Sequence, residues 1–170
     1  MKGLIHIYTG NGKGKTTAAL GLSMRALGHG FRIYIIQFMK KGYPYGELEV
    51  LQKLGIEVER FGRGHFIRGK PSLKDVELAK KALERAIKVL KSQNYDLVIL
   101  DEINVAIHFG LLSKEEVLEV LGEKPDATEL VLTGRFAPKE LIEVADYVTE
   151  MVEVKHPYRK GMKARDGIER

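Results

Sequence analysis

The chain has 170 residues, 44% of them hydrophobic and 30% charged, with 28 Lys and Arg against 23 Asp and Glu for a net charge of +5. That length suits one domain spanning 1–170 with its own core, and that composition excludes a disordered chain. No apolar run is long enough to span a bilayer, and the absence of cysteine excludes disulfides, thiolate metal sites and thiol catalysis.

The N-terminal residues Met1-Lys2-Gly3-Leu4-Ile5 enter a strand pattern at once, with no signal-peptide core, so a cytoplasmic protein is expected. The positive charge is concentrated at the other end, where 155–170 holds six basic and two acidic residues. On charge alone this is a solvated basic tail, with an anionic ligand or nucleic acid as the alternatives.

In chain order, Leu4–Tyr8 predicts a buried strand, and a Gly-rich turn leads into a helix over Lys15–Leu27 stopped by Gly28 and Gly30. Phe31–Phe38 predicts a second strand, Gly42–Gly46 a loop, Glu47–Leu54 a short helix and Ile56–Arg60 a third strand. Phe61–Pro71 has neither period and predicts a loop. Ser72 and Asp75 form a capping-box signature for a helix to Ser92, with Leu73, Val76, Ala79, Leu83, Ala86, Ile87 and Leu90 on its apolar face. Asp96–Leu100 predicts a strand ending in Asp101-Glu102, then a helix to Phe109 and a second capping box from Ser113. Thr128–Thr133 predicts a strand, Pro138–Ala145 a helix and Tyr147–Val154 a last strand. Alternating strands and helices predict an α/β fold, a P-loop NTPase (RecA-like) three-layer sandwich around a mostly parallel sheet.

Thr9-Gly10-Asn11-Gly12-Lys13-Gly14-Lys15-Thr16-Thr17 lies between the first strand and the first helix, where a phosphate-binding loop belongs. Glycines let backbone N–H groups turn around phosphate oxygens, and the helix N-terminus adds its positive end. Lys15 supplies a point charge, and the Thr16 hydroxyl suits Mg²⁺. Three residues, not the usual four, separate Gly10 from Gly14, so the loop is one residue short and Thr9 stands in the place of the first glycine. Gly-rich turns also occur without ligands, but Lys-Thr-Thr at the helix start tells against that.

Asp101 and Glu102 end an apolar strand at the sheet edge where α/β folds bind ligands, the position of a Walker B metal site. The same pair also suits a plain helix start; the upstream P-loop favours the metal. Arg135, in Thr133-Gly134-Arg135, ends a strand on the same edge and is a candidate phosphate contact, against an ordinary surface arginine in a turn. Gln37 ends another strand there. His6 and His108 read as packing or helix-end residues.

Together these segments resemble the ATP:corrinoid adenosyltransferases. The resemblance runs from Ile7 nearly to the C-terminus and rests on Thr9–Ala19 with its shortened loop, Gly28-His29-Gly30, Val98–Glu102, Thr133-Gly134-Arg135, Val154-Lys155-His156, Gly161-Met162-Lys163-Ala164 and Gly167-Ile168. It implies that ATP and a corrinoid are substrates, and that cobalt, reduced to Co(I), attacks the 5′ carbon of ATP while triphosphate leaves as one unit. It implies ATP bound with its γ-phosphate deep in the short loop, lined by Gly10, Asn11, Gly12, Lys13, Gly14, Lys15, Thr16 and Thr17. Lys15 and Arg135 would stabilise the leaving triphosphate, Thr16 and Glu102 would ligate Mg²⁺, and Asp101 would support that shell. A flavoprotein reductase and a homodimer are the implied partners.

Two departures from the family pattern matter. Well-known members have a polar segment ahead of the first strand that folds over the corrinoid, whereas this sequence starts almost at the strand and is expected to do without it. Gly64-His65-Phe66-Ile67 stands where many members have Gly-Phe-x-Trp, so Phe66 or His65 is expected to face the corrinoid. The competing readings are a RecA-like ATPase or nucleic-acid-binding module, which lacks an aromatic platform for bases, and a small-molecule kinase using Arg60, Arg63 and Arg68 as a lid, against which the short loop argues.

Overall fold

A computed structural model describes residues 2–42, 45–64, 67 and 69–169. The elements are β1 (Ile5–Thr9), α1 (Lys15–Leu27), β2 (Ile33–Gln37), α2 (Gly46–Lys53), β3 (Glu57–Arg60), α3 (Leu73–Ser92), β4 (Leu97–Asp101), α4 (Ile103–His108), α5 (Lys114–Gly122), β5 (Glu129–Thr133), α6 (Lys139–Val144) and β6 (Tyr147–Glu150). The six strands form one sheet in the order β3-β2-β4-β5-β1-β6. Every described pairing is parallel.

A parallel sheet needs helices on both faces, so its central strands read as continuous apolar runs. All five residues of β2 and of β4 are buried. Alternation divides them between two cores. Ile33, Ile35, Leu97 and Ile99 pack with Ala19 and Ala26 of α1 and Leu51 of α2. Tyr34, Ile36, Val98 and Leu100 pack with Ala79, Leu83 and Leu90 of α3, Ile103 of α4, Val117 of α5 and Leu141 of α6. The result is the expected three-layer α/β sandwich. No described helix is long and apolar enough to cross a membrane.

Both capping boxes form: Ser72 accepts from Asp75 N at the start of α3, and Ser113 from Glu116 N at the start of α5. Three expectations are corrected. Leu73 is 91% exposed as the first residue of α3, and the core face instead includes Ala82 and Val89. β2 begins at Ile33 because Phe31 N–H is still tied to Ala26 O at the end of α1. β6 stops at Glu150 because its partner β1 ends at Thr9, after which the chain turns into the Gly-rich loop.

Candidate functional site

The carboxyl edge of the sheet gathers the ends of β1, β2, β4 and β5. At the end of β1 the loop 10–14 turns on Gly10 and Gly14, whose φ values of 92° and 120° disfavour other residues. A Cβ on Gly10 would lie 2.5 Å from Met151 O, and one on Gly12 2.7 Å from the same atom. The Gly12 N–H donates to Met151 O at 2.6 Å, which seats the loop against the segment that follows β6. The short loop is thus packed by the chain's own C-terminal region. Gly14 is the N-cap of α1 and makes no side-chain cap, which leaves the helix start suited to an anion.

Lys15 Nζ arches over the loop and donates to Gly10 O and Gly12 O, both at 2.7 Å. Burial holds its pKa below the usual lysine value, the Glu102 charge opposes that, and the Arg135 charge adds to it. Asn11 and Lys13 are exposed at the loop's surface, as is Thr17, the third residue of the helix.

Thr16 Oγ1 donates to Asp101 Oδ1 at 2.9 Å, so the loop and the acidic strand end are in direct contact. β5 lies between β1 and β4, and its Thr133 bridges the gap. The Thr133 hydroxyl donates to Asp101 Oδ1 at 2.6 Å and accepts from Glu102 N at 3.0 Å. Asp101 Oδ2 accepts from Gln37 Nε2 at 3.2 Å and from Lys40 Nζ at 2.7 Å. Burial would raise the Asp101 pKa, but Lys40 and the hydroxyls outweigh it and hold it below the ordinary aspartate value. Burial would lower the Lys40 pKa, but the two carboxylates outweigh it and raise it above the usual lysine value. Glu102 is raised, by burial first and then by repulsion from Asp101, with Lys40 opposing. Its backbone is left-handed, φ 66°, a costly conformation for a non-glycine residue.

Gly134, with φ 129°, is in a backbone conformation that disfavours other residues, and a Cβ there would be tight against the Asn104 and Val105 side chains at 3.1 Å. Asn104 is fully buried and donates to Gly134 O at 3.2 Å. The turn so fixed presents Arg135, which lies over the Phe136 ring at 5.1 Å, and Phe136 stacks on His108. Arg135 is therefore exposed on an aromatic support at the rim. His108 ends α4 and His6 packs on Tyr147 and pairs with Glu129, both as the sequence suggests.

Two clefts meet here. One, of about 700 Å³, is lined by Gly14, Lys15, Thr16, Thr17 and Glu102. The other, of about 580 Å³, has Phe38, Ile67, Val105 and Phe109 on its apolar wall and Arg135 and His156 at its polar rim. Lys13, Lys15, Lys40, Tyr45, Glu102 and Glu169 border both. The basic tail belongs to this site: Lys13 Nζ donates to Ile168 O at 2.7 Å, and Gly167 and Ile168 wall the first cleft. Phe66, His65 and Arg68 lie outside the described residues. Arg60 and Arg63 form no lid, because Arg60 donates to Lys40 O and Arg63 to Ser72 Oγ at 2.9 Å.

Sequence reasoning missed Lys40, Asn104 and the bridging role of Thr133. Gln37 at the end of β2 was the available signal for Lys40, three residues further along the same edge.

The sequence matches, over residues 1–170, the family described as ATP:corrinoid adenosyltransferase BtuR/CobO/CobP. A corrinoid adenosyltransferase of Sinorhizobium sp. is 42% identical over 172 residues, covering 99% of this chain and 80% of the relative. Corrinoid adenosyltransferases of Escherichia coli K12 and Salmonella typhimurium LT2 are 36% and 34% identical over 168 residues, each covering 99% of this chain and 86% of the relative.

Proposed function

The chain belongs to the ATP:corrinoid adenosyltransferase family, and on that premise we propose how its residues divide the work of transferring the adenosyl group of ATP to a corrinoid. The observation that carries the reading is the pair of clefts that meet at Lys15 and Glu102. The polar cleft over the start of α1 suits the triphosphate, and the apolar cleft beside it suits the flat ring that receives the adenosyl group.

In the transfer, the Co(I) electron pair forms the bond to the 5′ carbon, and the bond from that carbon to the triphosphate oxygen breaks with its electrons on the leaving group. Charge therefore builds on the triphosphate. Lys15 leaves its loop carbonyls to meet that charge, the start of α1 supplies its N–H groups, and Arg135 approaches from the rim. Gly10, Asn11, Lys13, Gly14 and Thr17 shape the remainder of the phosphate cradle. Gly12 serves it indirectly, since its N–H is spent on Met151 O. No proton is abstracted, so no general base is required.

The donor set fits Mg²⁺. Thr16 and Glu102 offer hard oxygens beside the cradle, and such a metal shares its shell with phosphates rather than with an all-protein cage. Bound there, Mg²⁺ would neutralise charge on the leaving triphosphate. Asp101, 1% exposed and held by four donors, orients Thr16 rather than facing the cleft. Family likeness supports a cytoplasmic enzyme, a homodimer, a flavoprotein reductase that supplies Co(I), and Phe66 as a corrinoid contact.

The test is an anaerobic assay with ATP, Mg²⁺ and chemically reduced cob(I)alamin. Adenosylcobalamin with one triphosphate per turnover is expected. ADP without a corrinoid product would overturn this division of the clefts and return the chain to ATPase or kinase chemistry.

A further inference from the structure

The Lys40 ammonium lies 2.7 Å from Asp101 Oδ2, 3.3 Å from Thr16 Oγ1 and 3.9 Å from Glu102 Oε1. These are the three residues assigned above to the metal and its support. An ionised carboxylate offers about four acceptor positions, and Asp101 has all four filled, by Thr16 and Thr133 on one oxygen and by Gln37 and Lys40 on the other. Of these donors Lys40 alone is a cation, and it alone stands on a flexible four-carbon stem. Its backbone follows Met39, whose left-handed φ of 59° turns the chain back over the strand ends. Lys40 borders both clefts, while its side chain is only 13% exposed.

A half-buried pair of adjacent carboxylates is costly without a counter-cation. Lys40 supplies one from within the chain. A divalent ion placed between Thr16 and Glu102 would sit against that ammonium, and like charges so close repel strongly. We propose that Lys40 is a built-in stand-in for the metal: it holds Thr16, Asp101 and Glu102 in place, is displaced when Mg²⁺ enters with ATP, and is then free to turn to the triphosphate. Lys40 is thus a positioning residue for metal loading, an inference that rests on the Mg²⁺ reading above. Displacement also ties loading to the nucleotide, because the phosphates give the released ammonium a new anionic partner.

The test uses Mn²⁺ as a paramagnetic probe, read by electron paramagnetic resonance on the full chain. Without nucleotide, Lys40→Met should bind Mn²⁺ at least about tenfold more tightly than the wild type, since the competing charge is gone. Lys40→Arg keeps the charge and should stay near the wild type. If Lys40→Met gains nothing while Glu102→Gln still weakens Mn²⁺ in the ATP complex, the role of Lys40 is overturned and the metal reading stands. If Glu102→Gln and Thr16→Val leave that affinity unchanged, both fall together. A second readout needs no variant: in wild-type protein with ¹⁵N-labelled lysine, the Lys40 ammonium resonance should shift on adding MgATP without corrinoid. An unmoved resonance in the loaded complex overturns the proposal.

Discussion

At the amino edge of the sheet, polar groups meet in pairs that water also reaches. Arg32 pairs with Asp96, their side chains 59% and 40% exposed, and Lys124 closes the turn by donating to the carbonyls of Gly3, Pro125 and Thr128. At the carboxyl edge an ammonium and a carboxylate are buried together, and the buried Gln37 Oε1 and Asn104 Oδ1 have no partner among the described residues. Three of the four non-glycine residues with positive φ among the described residues, Met39, Glu102 and Phe136, stand there too. Both edges end the same well-packed strands, so the difference does not come from the core. The amino edge follows local rules and closes the fold, whereas the carboxyl edge departs from them where strain and unpaired polarity are put to use.

The sharpest way to break this contrast is Lys15→Ala. On the role proposed for Lys15, removing its charge should slow adenosylation about a thousandfold, while the melting temperature stays put, because Lys15 bonds only to loop carbonyls. A parallel loss of stability would show that the edge is structural after all. Asp101→Ala should reverse the pattern by leaving the buried Lys40 charge with only the 3.9 Å ion pair to Glu102, at a cost of about 3 kcal/mol in urea unfolding at pH 7. The Asp101 pKa is lowered by folding, so its contribution is complete above the ordinary value of 3.8 and is lost as pH falls through the folded value. The deficit of the variant should therefore shrink below pH 3.8, and a deficit independent of pH would remove the ion pair from the explanation.

Smaller effects sharpen the contrast further. Gly10→Ala should cost about 1–3 kcal/mol and loosen the segment after β6, visible as faster amide exchange at Met151, because the new methyl meets Met151 O. Gly21→Ala, in the exposed middle of α1 with open space around it, should instead stabilise by about 0.5–1 kcal/mol. Last, Arg32→Ala at the amino edge should cost less than about 1 kcal/mol in denaturant unfolding.

Much of this was legible in the sequence. The loop between β1 and α1, the acids after β4 and both capping boxes are local patterns, in which neighbouring residues carry the signal. What stayed hidden depends on strand order. Thr133 reaches Asp101 and Glu102 only because β5 pairs with β4, and Lys40 reaches Asp101 only because β2 pairs with β4. The basic tail shows the same limit: its described basic side chains are in solvent, as the charge suggested, but the contact of its backbone at Ile168 with Lys13 carries no local sequence signal. Leu73 fits the helical period yet stays in water, because a period gives the face of a helix but not where the partner layer ends.

The register of β1 bears on how the protein is made. Its ladder partners are residues 130–133 on one side and 147–150 on the other, whereas β2, β3 and β4 can pair once residue 101 has been added. At about 5–20 residues per second, the first strand waits on the order of ten seconds for its neighbours to be translated. Until then a nascent chain has its acidic strand end but no seated phosphate loop. The phosphate loop can therefore be seated only late in synthesis, once the partners of β1 have been added.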